Sequence, residues 1–128
     1  DRLQVIKAWV DENGVSHEKV IDVAASGERM QVTSGASIAA VGSTVDVDQA
    51  TYTNAIGSPE LSVIWKDPHY DPAQAAFYYA RAIEIPTPRW TAYRCQREGR
   101  CDEFPGAERW IQERAWTSPV WYLPGSSR

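Results

Sequence analysis

The side chains best equipped for chemistry in this sequence mostly lack the companions that chemistry requires. His17-Glu18-Lys19-Val20-Ile21 begins like the helix of a zinc protease. That site needs a second histidine one turn later to share the metal, and Ile21 stands there instead. His17 therefore reads as a strand residue, exposed or paired with a neighbour. Asp46 and Asp48 share one face of a short strand, and Asp67 and Asp71 flank a turn, so either pair offers oxygens to calcium. Neither lies in a glycine-bearing calcium loop, and both read better as solvated or turn-capping carboxylates. The sequence has no Gly-x-Ser-x-Gly elbow, no glycine-rich phosphate loop ahead of a helix and no local Cys and His pairing. No catalytic residue, metal ligand or cofactor is assigned to this chain.

Two features remain. Cys95 and Cys101 are the only cysteines and stand close together around Gly99. A disulfide is the preferred reading, with two unpaired thiols as the alternative. A metal site is least favoured, because the spacing is not C-x-x-C and no histidine lies nearby. The second feature is Pro86-Thr87-Pro88-Arg89-Trp90, where two prolines stiffen a segment that offers a bidentate fork and a flat ring. It reads equally as a docking or ligand surface and as a structural corner in which Trp90 is core and Arg89 pairs with Glu113. Arg89, Trp90, Asp67 and Glu113 are the candidate surface residues.

These residues must be positioned by strands. Leu3 to Val10 runs into Asp11-Glu12-Asn13-Gly14, a hairpin signal, and the return alternates from Val15 to Val23 with one buried and one wet face. Ser26 to Gly42 reads as a long surface loop. Val45 to Val47, Thr51 to Thr53 and Leu61 to Trp65 are short strand candidates. Lys66 to Pro72 is turn chemistry, Ala75 to Ile85 a central strand ending at Pro86, and the stretch from Thr87 an irregular, cysteine-bearing insertion. Trp110 to Trp116 and Val120 to Tyr122 complete the set. Six or seven short strands with almost no helix predict an all-β, antiparallel, two-sheet sandwich of immunoglobulin-like type with long loops. One domain is expected over residues 1–123, followed by a flexible tail over 124–128.

With 128 residues, 43% hydrophobic and 23% charged, the chain is neither disordered nor large enough for two cores. A net charge of −4 with scattered Lys and Arg gives no basic stripe for nucleic acid or anionic membrane. No apolar run approaches the ~20 residues that span a bilayer. Six Trp and six Tyr against two Phe favour a thin core or a binding face, since these rings have a polar edge to satisfy. The start at Asp1-Arg2-Leu3-Gln4 lacks an initiator Met and a signal layout, and reads as a piece or processed form of a longer protein.

Several strings then become familiar: Gly57-Ser58-Pro59-Glu60-Leu61, Trp65-Lys66-Asp67-Pro68, Phe77-Tyr78-Tyr79-Ala80-Arg81, Glu84-Ile85-Pro86-Thr87-Pro88-Arg89-Trp90 and Gln112-Glu113-Arg114-Ala115-Trp116-Thr117-Ser118-Pro119. Together they resemble the C-terminal region of bacterial domain-of-unknown-function family 3604, over almost the whole chain. Longer members look like relatives of the polymerase-and-histidinol-phosphatase hydrolases, whose metal ligands lie in an N-terminal domain. The resemblance implies a non-catalytic accessory domain that packs on that upstream domain, which would hold any divalent metal. It also implies a periplasmic or secreted location. Two other readings are carried beside it: a carbohydrate- or small-molecule-binding module, and a carboxylate-based enzyme.

Overall fold

The computed structural model describes residues 1–30, 38–103 and 109–125. The expected tail at 126–128 lies outside the described residues, as does much of the expected loop between Ser26 and Gly42. β1 (Arg2–Val10) and β2 (Ser16–Ala25) form the predicted hairpin. Its loop is built by Asp11, whose Oδ1 accepts from the N–H groups of Asn13 and Val15, both at 2.9 Å, while Gly14 takes the left-handed φ of 80° that closes it.

β3 (Ala76–Pro88) is the central strand, as the sequence predicts. β1 pairs with it antiparallel along one edge. β4 (Trp110–Trp116) and β5 (Val120–Tyr122) share the other. The break between them is bridged by Thr117, whose N–H donates to Ala80 O while its Oγ1 accepts from Ala80 N–H, both at 3.0 Å. A side-chain hydroxyl thus carries the ladder through Ser118 and Pro119. Each strand is antiparallel to its partner, in the order β2-β1-β3-β4 with β5 beside β3.

Register assigns the faces, because residues opposite one another in a ladder point the same way. Leu3, Val5, Lys7 and Trp9 share one face with Ala82, Ala80, Tyr78 and Ala76. The chain around residues 54–72 lies over part of this inner face, where Asp67 meets Lys7 and Tyr78. The outer face carries Gln4, Ile6 and Ala8 beside Arg81, Tyr79 and Phe77. One end of it holds a polar lattice: Asp22 accepts from Gln4 Nε2 and from Ile38 N–H, both at 2.7 Å, and Gln4 Oε1 accepts from Arg81 Nε at 2.8 Å.

The fold is β-rich and antiparallel, and its described strands all belong to a single sheet. Three expectations about local elements need correction. Val45 to Val47 and Thr51 to Thr53 reduce to one bridge between Asp46 and Thr51, because Asp46 Oδ1 accepts from Asp48 and Gln49 N–H at 3.0 Å each and turns the chain back at once. Leu61 to Trp65 is no strand: with Val63 and Ile64 exposed, its apolar residues do not bury a face, and anchors on either side hold it in place. The stretch after Pro88 is not irregular but opens α1 (Trp90–Glu98). Thr91, Ala92 and Cys95 form its buried side. The helix stops at Gly99, with φ 65°, whose N–H bonds back to Cys95 O. The Cys95–Cys101 disulfide is present and ties the helix end to the turn after it.

One anchor of the covering segment is Gly57, at φ 84°, where an added Cβ would lie 2.5 Å from Ile85 Cγ2. Gly42 has a similar φ of 90° with nothing within 4 Å. Denaturant unfolding should therefore show Gly57→Ala losing about 2–4 kcal/mol, from backbone strain plus collision with a branched side chain. Gly42→Ala should lose only about 1 kcal/mol.

Candidate functional site

One buried cluster of titratable groups joins Asp1 and Asp22 to Arg2 and Arg29, and a second sits under the covering segment. Lys7 Nζ donates to Asp67 Oδ2 and to His69 O, each at 2.7 Å, and Tyr78 OH donates to the same Asp67 oxygen at 2.9 Å. The Lys7 and Asp67 side chains are 4% and 6% exposed. Neighbouring strands put Lys7 and Tyr78 side by side, since they are register partners. The turn at Lys66 to Tyr70 brings Asp67 down, shaped by its own Oδ1 accepting from His69 N–H at 2.8 Å.

Lysine, carboxylate and phenol at hydrogen-bond distance make a set that could in other settings move protons. Here the electrostatics hold each group in one state. Burial alone lowers the Lys7 pKa, but the contact with Asp67 outweighs it and the net shift is upward. Burial lifts Asp67, and the hydrogen bonds from Lys7, His69 N–H and Tyr78 outweigh that, leaving it lowered. Tyr78 is raised by burial and by its bond to Asp67. An ammonium, a carboxylate and a neutral phenol result, with no group among them drawn toward neutral pH, where a general base would work. The cluster fastens the covering segment to the sheet.

The other carboxylates singled out in the sequence are also engaged. Asp46 caps its turn, Asp48 pairs with Arg109 at 2.9 Å, and Asp71 accepts from Ala73 N–H at 2.8 Å. His17 pairs with Asp11 at 2.8 Å and stacks on Trp9 at 5.2 Å, as expected for a strand residue with a neighbour. The hydrogen bond from His17 and that from Val15 N–H hold the Asp11 carboxyl below its ordinary range. No group of three or more His, Cys, Asp or Glu able to hold a metal ion occurs among the described residues.

The four candidate surface residues do not form one site. Asp67 is under the covering segment. Arg89 and Trp90 stand where β3 passes into α1, with Trp90 61% exposed, so its ring is surface and not core. Glu113 is exposed on β4, opposite the irregularity between Ile83 and Pro86, and no ion pair joins it to Arg89 among the described residues.

What sequence reading missed is Lys7 and the open half of the outer face. Lys7 had a signal: a charge at an inward position between Val5 and Trp9, which a strand buries only if a partner is supplied. On the outer face, Trp116 and Trp121 are 58% and 65% exposed. Trp121 packs on Phe77 with centroids 4.9 Å apart, and Phe77 on Tyr79 at 6.4 Å. Beside them lies a cleft of roughly 600 Å³, lined among others by Ala8, Val10, Glu18, Phe77, Trp121 and Leu123.

Sequence comparison fits this arrangement to a family. A family model described as "Protein of unknown function (DUF3604)" matches residues 1–124. The chain belongs to that family. The match spans every strand, the helix and the disulfide, so this DUF3604 chain carries its open aromatic face within the family-defining region. No curated protein and no solved structure matches it.

If Lys7 and Asp67 fasten the segment, Lys7→Ala should cost about 3–5 kcal/mol by leaving a buried carboxylate uncompensated, and Lys7→Met with Asp67→Leu together should recover most of it. The pH dependence follows from the shift of Asp67. Because its folded pKa is below the ordinary 3.8, its contribution is present above that value and disappears as pH falls through the folded pKa. Urea unfolding between pH 6 and about pH 2 should thus weaken more steeply in the native chain than in the double variant.

Proposed function

We propose that this chain is a non-catalytic accessory domain that docks, through the open half of its outer sheet face, onto an upstream metal-dependent hydrolase domain of its parent protein. The observation that carries the reading is the asymmetry of the sheet. One face carries the segment held at Lys7, and the other buries Gln4, Ile6 and Ile83 at one end but presents Trp121 beside Phe77 and Tyr79, with Trp116 exposed opposite Arg81. Exposed tryptophans grouped with other apolar side chains favour burial against a partner. A partner seated there supplies the second layer that an immunoglobulin-like, two-sheet packing requires.

Any divalent metal belongs, on this reading, to the upstream domain. The disulfide fits an oxidising compartment, and no helix among the described residues is long and apolar enough to cross a membrane. A bacterial periplasmic or secreted setting is the one we infer.

A second reading has an observation of its own. The contiguous rings Trp121, Phe77 and Tyr79 have the form of a platform on which sugar rings stack, as in a carbohydrate-binding module.

Titration calorimetry of this chain against the separately produced upstream part of the parent protein separates the two. Docking predicts saturable association, weakened at least about 30-fold by Trp116→Ala with Trp121→Ala, the range for interfacial tryptophans worth ~2 kcal/mol or more. No association, or a loss caused by Trp90→Ala alone, would count against the outer face. Binding of neutral oligosaccharides lost in the same double variant would favour the second reading.

A further inference from the structure

Four strands contribute one side chain each to a row across the outer face. Glu18 on β2 lies opposite Ala8 on β1, Ala8 opposite Phe77 on β3, and Phe77 opposite Trp121 on β5. Adjacent strands are ~4.8 Å apart, so Glu18 and Phe77 rise from backbones ~10 Å apart with only the Ala8 methyl between them. The row is therefore a notch. Its floor is a methyl group, one wall is the tilted Phe77–Trp121 pair, and the opposite wall is a carboxylate. Val10 bounds it at the hairpin end and Ile6 with Val20 at the other. It lies in the ~600 Å³ cleft described above.

The charges in the notch point one way. Glu18 is exposed and makes no ion pair or hydrogen bond among the described residues. No Lys or Arg lines the cleft, and its one histidine, His17, is engaged by Asp11. An anionic group would meet Glu18 with nothing to neutralise it. A neutral sugar would find few polar partners beyond Ser16 and Glu18. A flat cation meets both walls: the face of Trp121 attracts it through the ring quadrupole, and the carboxylate takes a two-pronged hydrogen bond. We infer that the notch formed by Glu18, Ala8, Phe77 and Trp121 receives an arginine side chain of the docking partner, its methylene stem on Ala8 and its guanidinium between Trp121 and Glu18. The origin of that arginine rests on the docking reading, whereas the recognition chemistry is a property of this chain alone.

The test uses this chain with N-acetyl-arginine amide, in which the guanidinium is the only charge, and follows the Trp121 indole N–H by two-dimensional NMR. The expected result is a saturable shift of that signal, weakened at least about tenfold by Glu18→Gln, and abolished by Ala8→Leu, which fills the floor while leaving the remaining amide spectrum folded. N-acetyl-citrulline amide, the neutral near-isostere, should produce no saturable shift, and N-acetyl-lysine amide should bind several-fold more weakly. Equal binding of citrulline or of lysine, indifference to Glu18→Gln, or no saturable shift at Trp121 would overturn the inference. Any of these with domain association intact removes the arginine site and leaves docking standing. Binding of the probe without domain association removes docking and leaves the site.

Discussion

The ion pair between Lys7 and Asp67 is the constraint on which the shape of this domain depends. Neither partner is near the other in sequence, and each would be expensive to bury alone. Together, with Tyr78 and the His69 carbonyl taking the remaining hydrogen bonds, they let a polar turn lie flat on a β-sheet. The stretch from Gly57 to Tyr70 needs no ladder of its own, because it is fixed at Gly57 against Ile85 and at Asp67 against Lys7.

Function follows from where the polar groups are spent. The carboxylates that sequence alone could have assigned to metal or acid–base work cap turns or neutralise cations. At one end of the outer face Asp22, Gln4 and Arg81 satisfy one another across three strands. Toward the hairpin end the same face loses that lattice and gains rings, with Trp121 leaning on Phe77, while Trp116 stands exposed beside Arg81 at the edge of the lattice. On the docking reading we propose, these exposed rings are the part of the face that meets a partner.

Local pattern made part of this legible. The hairpin was readable from Asp11-Glu12-Asn13-Gly14, and β3 from the Ile83-Glu84-Ile85 alternation ending at Pro86, despite alanines that favour helix. The disulfide was readable from cysteine spacing. Helix α1 was obscured because it is only 9 residues long and buries just three of them, so its period hardly repeats. Leu61 to Trp65 has strand-like residues but no neighbour to pair with, a fact about the rest of the chain. The Lys7 cluster and the Glu18 to Trp121 row were beyond local reading for the same reason. Each exists only once register has aligned residues from distant parts of the chain, even though an inward lysine in a strand was a warning that a partner had to exist.

The central claim is that the exposed tryptophans of the outer face are covered in the longer protein we propose. Hydroxyl-radical footprinting of Trp116 and Trp121, in this chain alone and joined to the rest of its parent polypeptide, tests it most directly. The account predicts that both tryptophans oxidise readily in the isolated domain and become strongly protected in the longer protein, while Trp90 changes little. Equal oxidation of Trp116 and Trp121 in the two forms would contradict it.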